Sequence, residues 1–216
     1  PTPPDRPLRI GISTRSPLKG IRVDPELAGA VVEAGRRLAG AGHTLEWADA
    51  PRARTRDALA LIETWCAAVA QDAEGLDFQK LEARTRGHVR LGRIARSLGL
   101  VRSKDREAWR KLHDVFFRRF DLLLTPILAS APIRADAWSR RGWMANFYAN
   151  VCFAPFTAAW NFAGYPAAAV PAGVRSDGMP LSVQLVAPNG SETLILSVAK
   201  QLEVLQPWAR HAPTRL

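Results

Sequence analysis

Residues 151–174 carry no charged side chain, and this restricts the fold more than any other feature of the chain. A run of that length is long enough to cross a bilayer as a single helix. Pro155, Pro166 and Pro171, with Gly164 and Gly173, interrupt it. A lipid-exposed helix broken so often would leave backbone N–H and C=O groups unpaired in hydrocarbon. The run is therefore expected to form a helix, a turn and a strand, fully buried in the core of a soluble domain.

The rest of the composition agrees with a packed domain. With 216 residues, 47% of them hydrophobic, the chain has enough apolar surface for one domain or one large half of a domain. The net charge of +10 raises the question of an anionic partner. The basic residues are mostly dispersed arginines without interleaved aromatics for base stacking, which argues against nucleic acid. The densest basic stretch, residues 84–111, reads as the solvated faces of two helices whose opposite faces carry Leu91, Ile94 and Leu98, and Trp109, Leu112 and Phe116. A docking surface for lipid headgroups or nucleic acid is the alternative. Cys66 and Cys152 lie in apolar stretches and fit no metal-ligand spacing, as core thiols do in a reduced, cytoplasmic protein. Residues 1–7 read as a Pro-rich linker, not as a signal peptide.

Residues 8–13 (Leu-Arg-Ile-Gly-Ile-Ser) have the apolar density of a strand buried on both faces. Asp24-Pro25-Glu26 announces a helix, with Asp24 as its cap and Leu27, Ala30, Val31, Ala34 and Leu38 as its apolar stripe, ending near Gly40 or Gly42. Residues 43–48 form a second strand, and strand-helix-strand order favours a parallel pair. From 55 to 120 the apolar spacing is helical, giving three helices and no strand. Residues 120–124, 167–170 and 181–187 are further strands, with a turn at Ser176-Asp177-Gly178 between the last two. Asn189-Gly190-Ser191-Glu192 caps a final helix striped by Leu194, Ile195, Val198, Leu202 and Leu205. The fold class is α/β, a mixed β-sheet core flanked by α-helices.

Three blocks carry further meaning together: residues 120–126 (Phe-Asp-Leu-Leu-Leu-Thr-Pro), 161–173 (Asn-Phe-Ala-Gly-Tyr-Pro-Ala-Ala-Ala-Val-Pro-Ala-Gly) and 178–187 (Gly-Met-Pro-Leu-Ser-Val-Gln-Leu-Val-Ala). In order and spacing they resemble the C-terminal half of the amidase-signature family, and the opening strand and Asp-Pro-capped helix extend the resemblance over most of the chain. The resemblance implies hydrolysis of a C–N bond in a small carboxylic amide through a serine acyl-enzyme, with no metal or organic cofactor. In that family a lysine, a bridging serine and a nucleophilic serine in a Gly-Ser-rich loop do the chemistry. No serine of this chain lies in such a loop, so no catalytic residue is carried over. The resemblance also implies that the segment before Asn161 lines the substrate channel, making Phe147, Val151 and Ala154 candidates for substrate binding; ordinary core packing is the alternative.

Thr125 ends a strand, and its hydroxyl is expected to bond a neighbouring carbonyl, with facing the site as the alternative. His43, His88, His113 and His211 show no metal spacing. The family's sheet is completed by strands that precede the matched region, so a second chain, or an N-terminal half of the same chain, is the expected partner. Nucleic acid and membrane are not expected partners. A non-catalytic interaction or binding module built on the half-fold is the alternative function.

Overall fold

In a computed structural model of the protein, residues 2–52, 54–135 and 138–208 are described. The elements follow in the order β1 (Arg9–Ile12), α1 (Pro25–Gly40), β2 (Thr44–Trp47), α2 (Thr55–Asp72), α3 (Ala83–Ser97), α4 (Ser103–Phe117), β3 (Leu122–Pro126), α5 (Trp143–Phe153), α6 (Ala158–Ala163), β4 (Ala167–Val174), β5 (Pro180–Val186) and α7 (Glu192–Leu205). The strands form one five-stranded sheet in the order β2-β1-β3-β5-β4. β2, β1 and β3 are parallel, while β5 runs antiparallel to both β3 and β4. The α/β mixed sheet expected from the sequence is the observed architecture.

The pleat sends alternate residues to opposite faces. On one face Ile10, Ile12, Leu122, Leu124, Val183 and Leu185 join Leu27, Val31 and Leu38 of α1 and Ile195, Val198 and Leu202 of α7 in one buried cluster. On the other, Leu123 and Val186 meet Trp109, Phe116, Phe120, Trp160 and Tyr165. Gly11 faces this second layer, where an added Cβ would lie 2.7 Å from Cζ of Phe116. α1 begins as its sequence requires: the Asp24 carboxylate accepts the Glu26 N–H at 2.8 Å, and Pro25 occupies the first turn.

The charge-free run does fold as helix, turn and strand. α6 stops at Gly164, whose φ of +73° is open to glycine without a Cβ penalty. Full burial, however, does not hold. β4 is an edge strand, with Ala167, Ala169 and Pro171 exposed, and its register slips between Pro171 and Gly173. Proline has no N–H to give a ladder and is accommodated at such edges.

Three helices do span the middle of the chain, but the apolar face of α3 is not the expected one. Its buried side is His88, Val89, Gly92 and Ala95, while Leu91, Ile94 and Leu98 are exposed. The reason is close packing. A Cβ on Gly92 would sit 1.9 Å from the backbone oxygen of Cys66 and 2.7 Å from Cβ of Ala70. Small residues let α2 and α3 approach closely, and the bulky residues are turned outward. Val115 of α4 and Leu205 of α7 are likewise exposed, and the Ser191 side chain makes no capping hydrogen bond. The arginines of α3 are engaged locally: Arg84 with Glu82, Arg96 with Glu74, Arg86 with the carbonyls of Gln79 and Leu81, and Arg90 and Arg93 over the Phe78 ring. No helix among the described residues is long and apolar enough to cross a membrane.

Candidate functional site

The parallel strands β2, β1 and β3 end on the same side, where open α/β sheets form crevices. A cavity of about 700 Å³ lies there. The pleat directs Ser13, just past β1, and Thr125 of β3 to its floor, and Asp49 follows β2 into it. Helices α2, α4, α5 and α6 supply the walls.

Phe147, Val151 and Ala154 all line this cavity. They stand at i, i+4 and i+7, one face of α5 and its C-terminal cap. Asn146 fixes the start of that helix, its amide donating to the carbonyls of Trp138, Arg141 and Gly142 at 2.9–3.2 Å. Opposite stands Trp65 of α2, its ring centroid 6.0 Å from that of Phe147. Phe147 stacks in turn on Trp143 at 5.1 Å. The wall is therefore a supported aromatic and aliphatic surface.

Ser13 is 4% exposed. Its hydroxyl donates to Asp49 at 2.6 Å and accepts the Arg15 N–H at 3.2 Å, and the Arg15 guanidinium holds the second Asp49 oxygen at 3.1 Å. This joins the loops after β1 and β2. Thr125 lines the cavity and donates to the side-chain oxygen of Gln184 on β5 at 3.3 Å, so its partner is a side-chain carbonyl.

His113 of α4, 1% exposed, also faces the cavity. Its Nδ1 lies 2.9 Å from the carbonyl oxygen of Trp109, and its ring meets that of Trp160 edge-on at 5.2 Å. Burial holds the imidazole below the ordinary histidine range, outweighing the opposing pull of the Trp109 and Pro51 carbonyls. His88 is lowered by burial as well and packs edge-on against Trp65, behind the cavity wall. His43 is a strand-edge tether, taking the Leu8 N–H on Nδ1 at 3.0 Å and facing Gln201 with Nε2 at 2.7 Å. His211 lies outside the described residues.

This arrangement can enclose and orient a small molecule. Among the described residues no hydrogen bond joins a lysine or histidine to a serine or cysteine, and no three His, Cys, Asp or Glu side chains cluster as metal ligands do. The α5 face named through the family resemblance is one that borders this cavity. Sequence reasoning missed Trp65, Asp49, Arg15 and His113, which converge from distant segments. The signal available for Ser13 and Asp49 was their position just beyond two parallel strands.

A family model described as Amidase matches residues 2–196. AmiA2 of Mycobacterium tuberculosis, named for an amidase, is 34% identical over 212 residues, covering 96% of this chain and 43% of the relative. AmiB2 of the same organism is 32% identical over 211 residues, covering 96% of this chain and 45% of its own length. Among solved structures, a 6-aminohexanoate cyclic dimer hydrolase superposes with a TM-score of 0.81 at 25% identity, over 96% of this chain and 47% of that one. A bacterial aryl acylamidase of the amidase-signature enzymes shares the fold, with a TM-score of 0.66 at 21% identity over 94% of this chain and 44% of that one. The chain spans less than half the length of these relatives.

Proposed function

Because the chain belongs to the amidase family, we propose that it forms the pocket-bearing, C-terminal half of a small-amide hydrolase whose lysine and two serines lie outside these 216 residues. The reaction is attack of the outside serine on the amide carbonyl, departure of ammonia or an amine, and hydrolysis of the resulting ester by water. Within this chain Phe147, Val151 and Ala154 hold the apolar part of the substrate. The observation that carries the reading is the cavity itself. It sits at the carboxyl ends of the parallel strands and is walled by one face of α5, in a family that hydrolyses amides.

The exposed alanines of edge strand β4 support a further stretch of polypeptide against that side of the sheet. A largely apolar cavity with no activated nucleophile among the described residues also explains how one chain supplies selectivity while another segment supplies chemistry.

The test combines intact mass with a serine-directed fluorophosphonate and ammonia release from a panel of small amides. A sample containing only this chain is expected to show neither labelling nor turnover, and a sample that also contains the Gly-Ser-rich region is expected to show both. Sustained hydrolysis by the 216-residue chain alone, or none in any sample, would overturn the proposal.

A further inference from the structure

Positive charge predominates among the exposed charged side chains that line the cavity. The charged side chains lining it are Arg15, Asp49, Arg52 and Arg106. An adjoining depression of about 550 Å³ shares Arg15 and Arg52 and adds Lys19 and Arg22, without an acid. The two together present five cations and one carboxylate, whereas the whole chain has 30 Lys and Arg against 20 Asp and Glu. The one carboxylate is already engaged by Arg15 and Ser13. None of Lys19, Arg22, Arg52 and Arg106 forms an ion pair with a carboxylate among the described residues; Arg106 lies only over the Phe162 ring, 6.0 Å from its centroid. This contrasts with α3, whose Arg84 and Arg96 are paired with glutamates.

A cluster of like charges without counter-ions repels itself, and low-dielectric walls beside it focus its field toward the opening. Guanidinium groups match a carboxylate in shape as well as charge, through parallel N–H donors. The interior behind them is walled by Trp65, Phe147 and Val151 and carries neutral polar groups such as Thr125 and Asn150, but no further Lys or Arg.

We propose that this site selects amides that carry a carboxylate, with Arg52 and Arg106 receiving the carboxylate at the mouth and the apolar body lying against Phe147 and Val151. The proposal rests on the amidase reading and adds the substrate class to it. Arg52 and Arg106 are specificity residues; the apolar wall binds charged and neutral ligands alike.

The experiment uses a matched pair of probes, 4-phenylbutyrate and 4-phenylbutyramide, which share an aromatic body and differ in the charged end. Trp65, Trp109 and Trp160 line the cavity, so quenching of intrinsic fluorescence reads occupancy. At low ionic strength the carboxylate is expected to bind about tenfold more tightly than the amide, and salt at about 0.5 M should bring the two together. The Arg52→Ala/Arg106→Ala double variant should lose that preference while keeping its affinity for the amide, which also shows that it folds. Equal affinities in the unaltered protein, a preference undiminished in the double variant, or binding of neither probe would overturn the proposal. Equal affinities together with hydrolysis of neutral amides by the completed enzyme would remove the selectivity and leave the amidase reading. Carboxylate preference without hydrolysis in any sample would do the reverse.

Discussion

The two faces of the sheet are built from the same strands and serve different ends. Against α1 and α7 the packing is aliphatic and closed, with Ile10, Val31, Leu38, Leu122, Leu124, Leu185 and Val198 at most 1% exposed. Against α2 through α6 it is aromatic and open, with the His113 ring tilted against Trp109 and edge-on to Trp160, and a cavity left between the helices. Closely packed interiors hold few voids larger than a water molecule, so a space of about 700 Å³ beside the aromatic layer is one that packing has left open. The first face is closed by packing, and the second borders the cavity.

The sharpest way to break this comparison is to cut the same kind of side chain on each face. Leu124→Ala on the closed face is expected to cost about 3 kcal/mol in urea unfolding, through lost burial and the cavity left behind. Val151→Ala on the open face should cost less than about 1 kcal/mol, because its side chain borders space already present. Equal costs would mean that the cavity closes in solution. Gly92→Ala probes the α2–α3 contact, where the added methyl meets the Cys66 backbone. Unfolding stability should drop by about 1–3 kcal/mol, and an unchanged midpoint would show that the two helices are not held at this distance.

The open face should also carry an acid sensitivity. The folded His113 imidazole titrates below its free value of 6.5 because it is buried. As pH falls the unfolded chain takes up the proton first, so the stability contribution is whole above about pH 6.5 and is lost below it. Melting temperature measured across that range should fall on the acid side, and His113→Asn should flatten the slope whatever it does to the absolute stability. His88, depressed for the same reason, contributes in the same direction. The smallest effect concerns reactivity. Burial pushes the Cys66 thiol up to about 11, so near pH 8 iodoacetamide should modify half-buried Cys152 first. Peptide mapping that found Cys66 modified at the same rate would show that the α2–α3 pair opens readily.

The closed face was legible in advance. Asp24-Pro25 fixed the start of α1, and all five residues of its predicted stripe, Leu27 to Leu38, are buried. These are local signals, a cap and a period, acting within one helix. The α3 stripe was misread because Leu91, Ile94 and Leu98 also have a helical period, and period alone does not say which face is covered. Gly92 and Ala95 decided it by allowing α2 to come close on their side.

The same division holds for the site. The order of β1, α1 and β2, the charge-free run and the three amidase-like blocks are properties of contiguous residues, so the amino-acid sequence determined them by itself. The meeting of Ser13, Asp49, Trp65, His113 and Val151 around one cavity joins residues from five separate segments. Only tertiary structure could decide it, because strand pleat, helix approach and the direction of the strands' carboxyl ends set which side chains converge, and none of these is fixed until the layers pack.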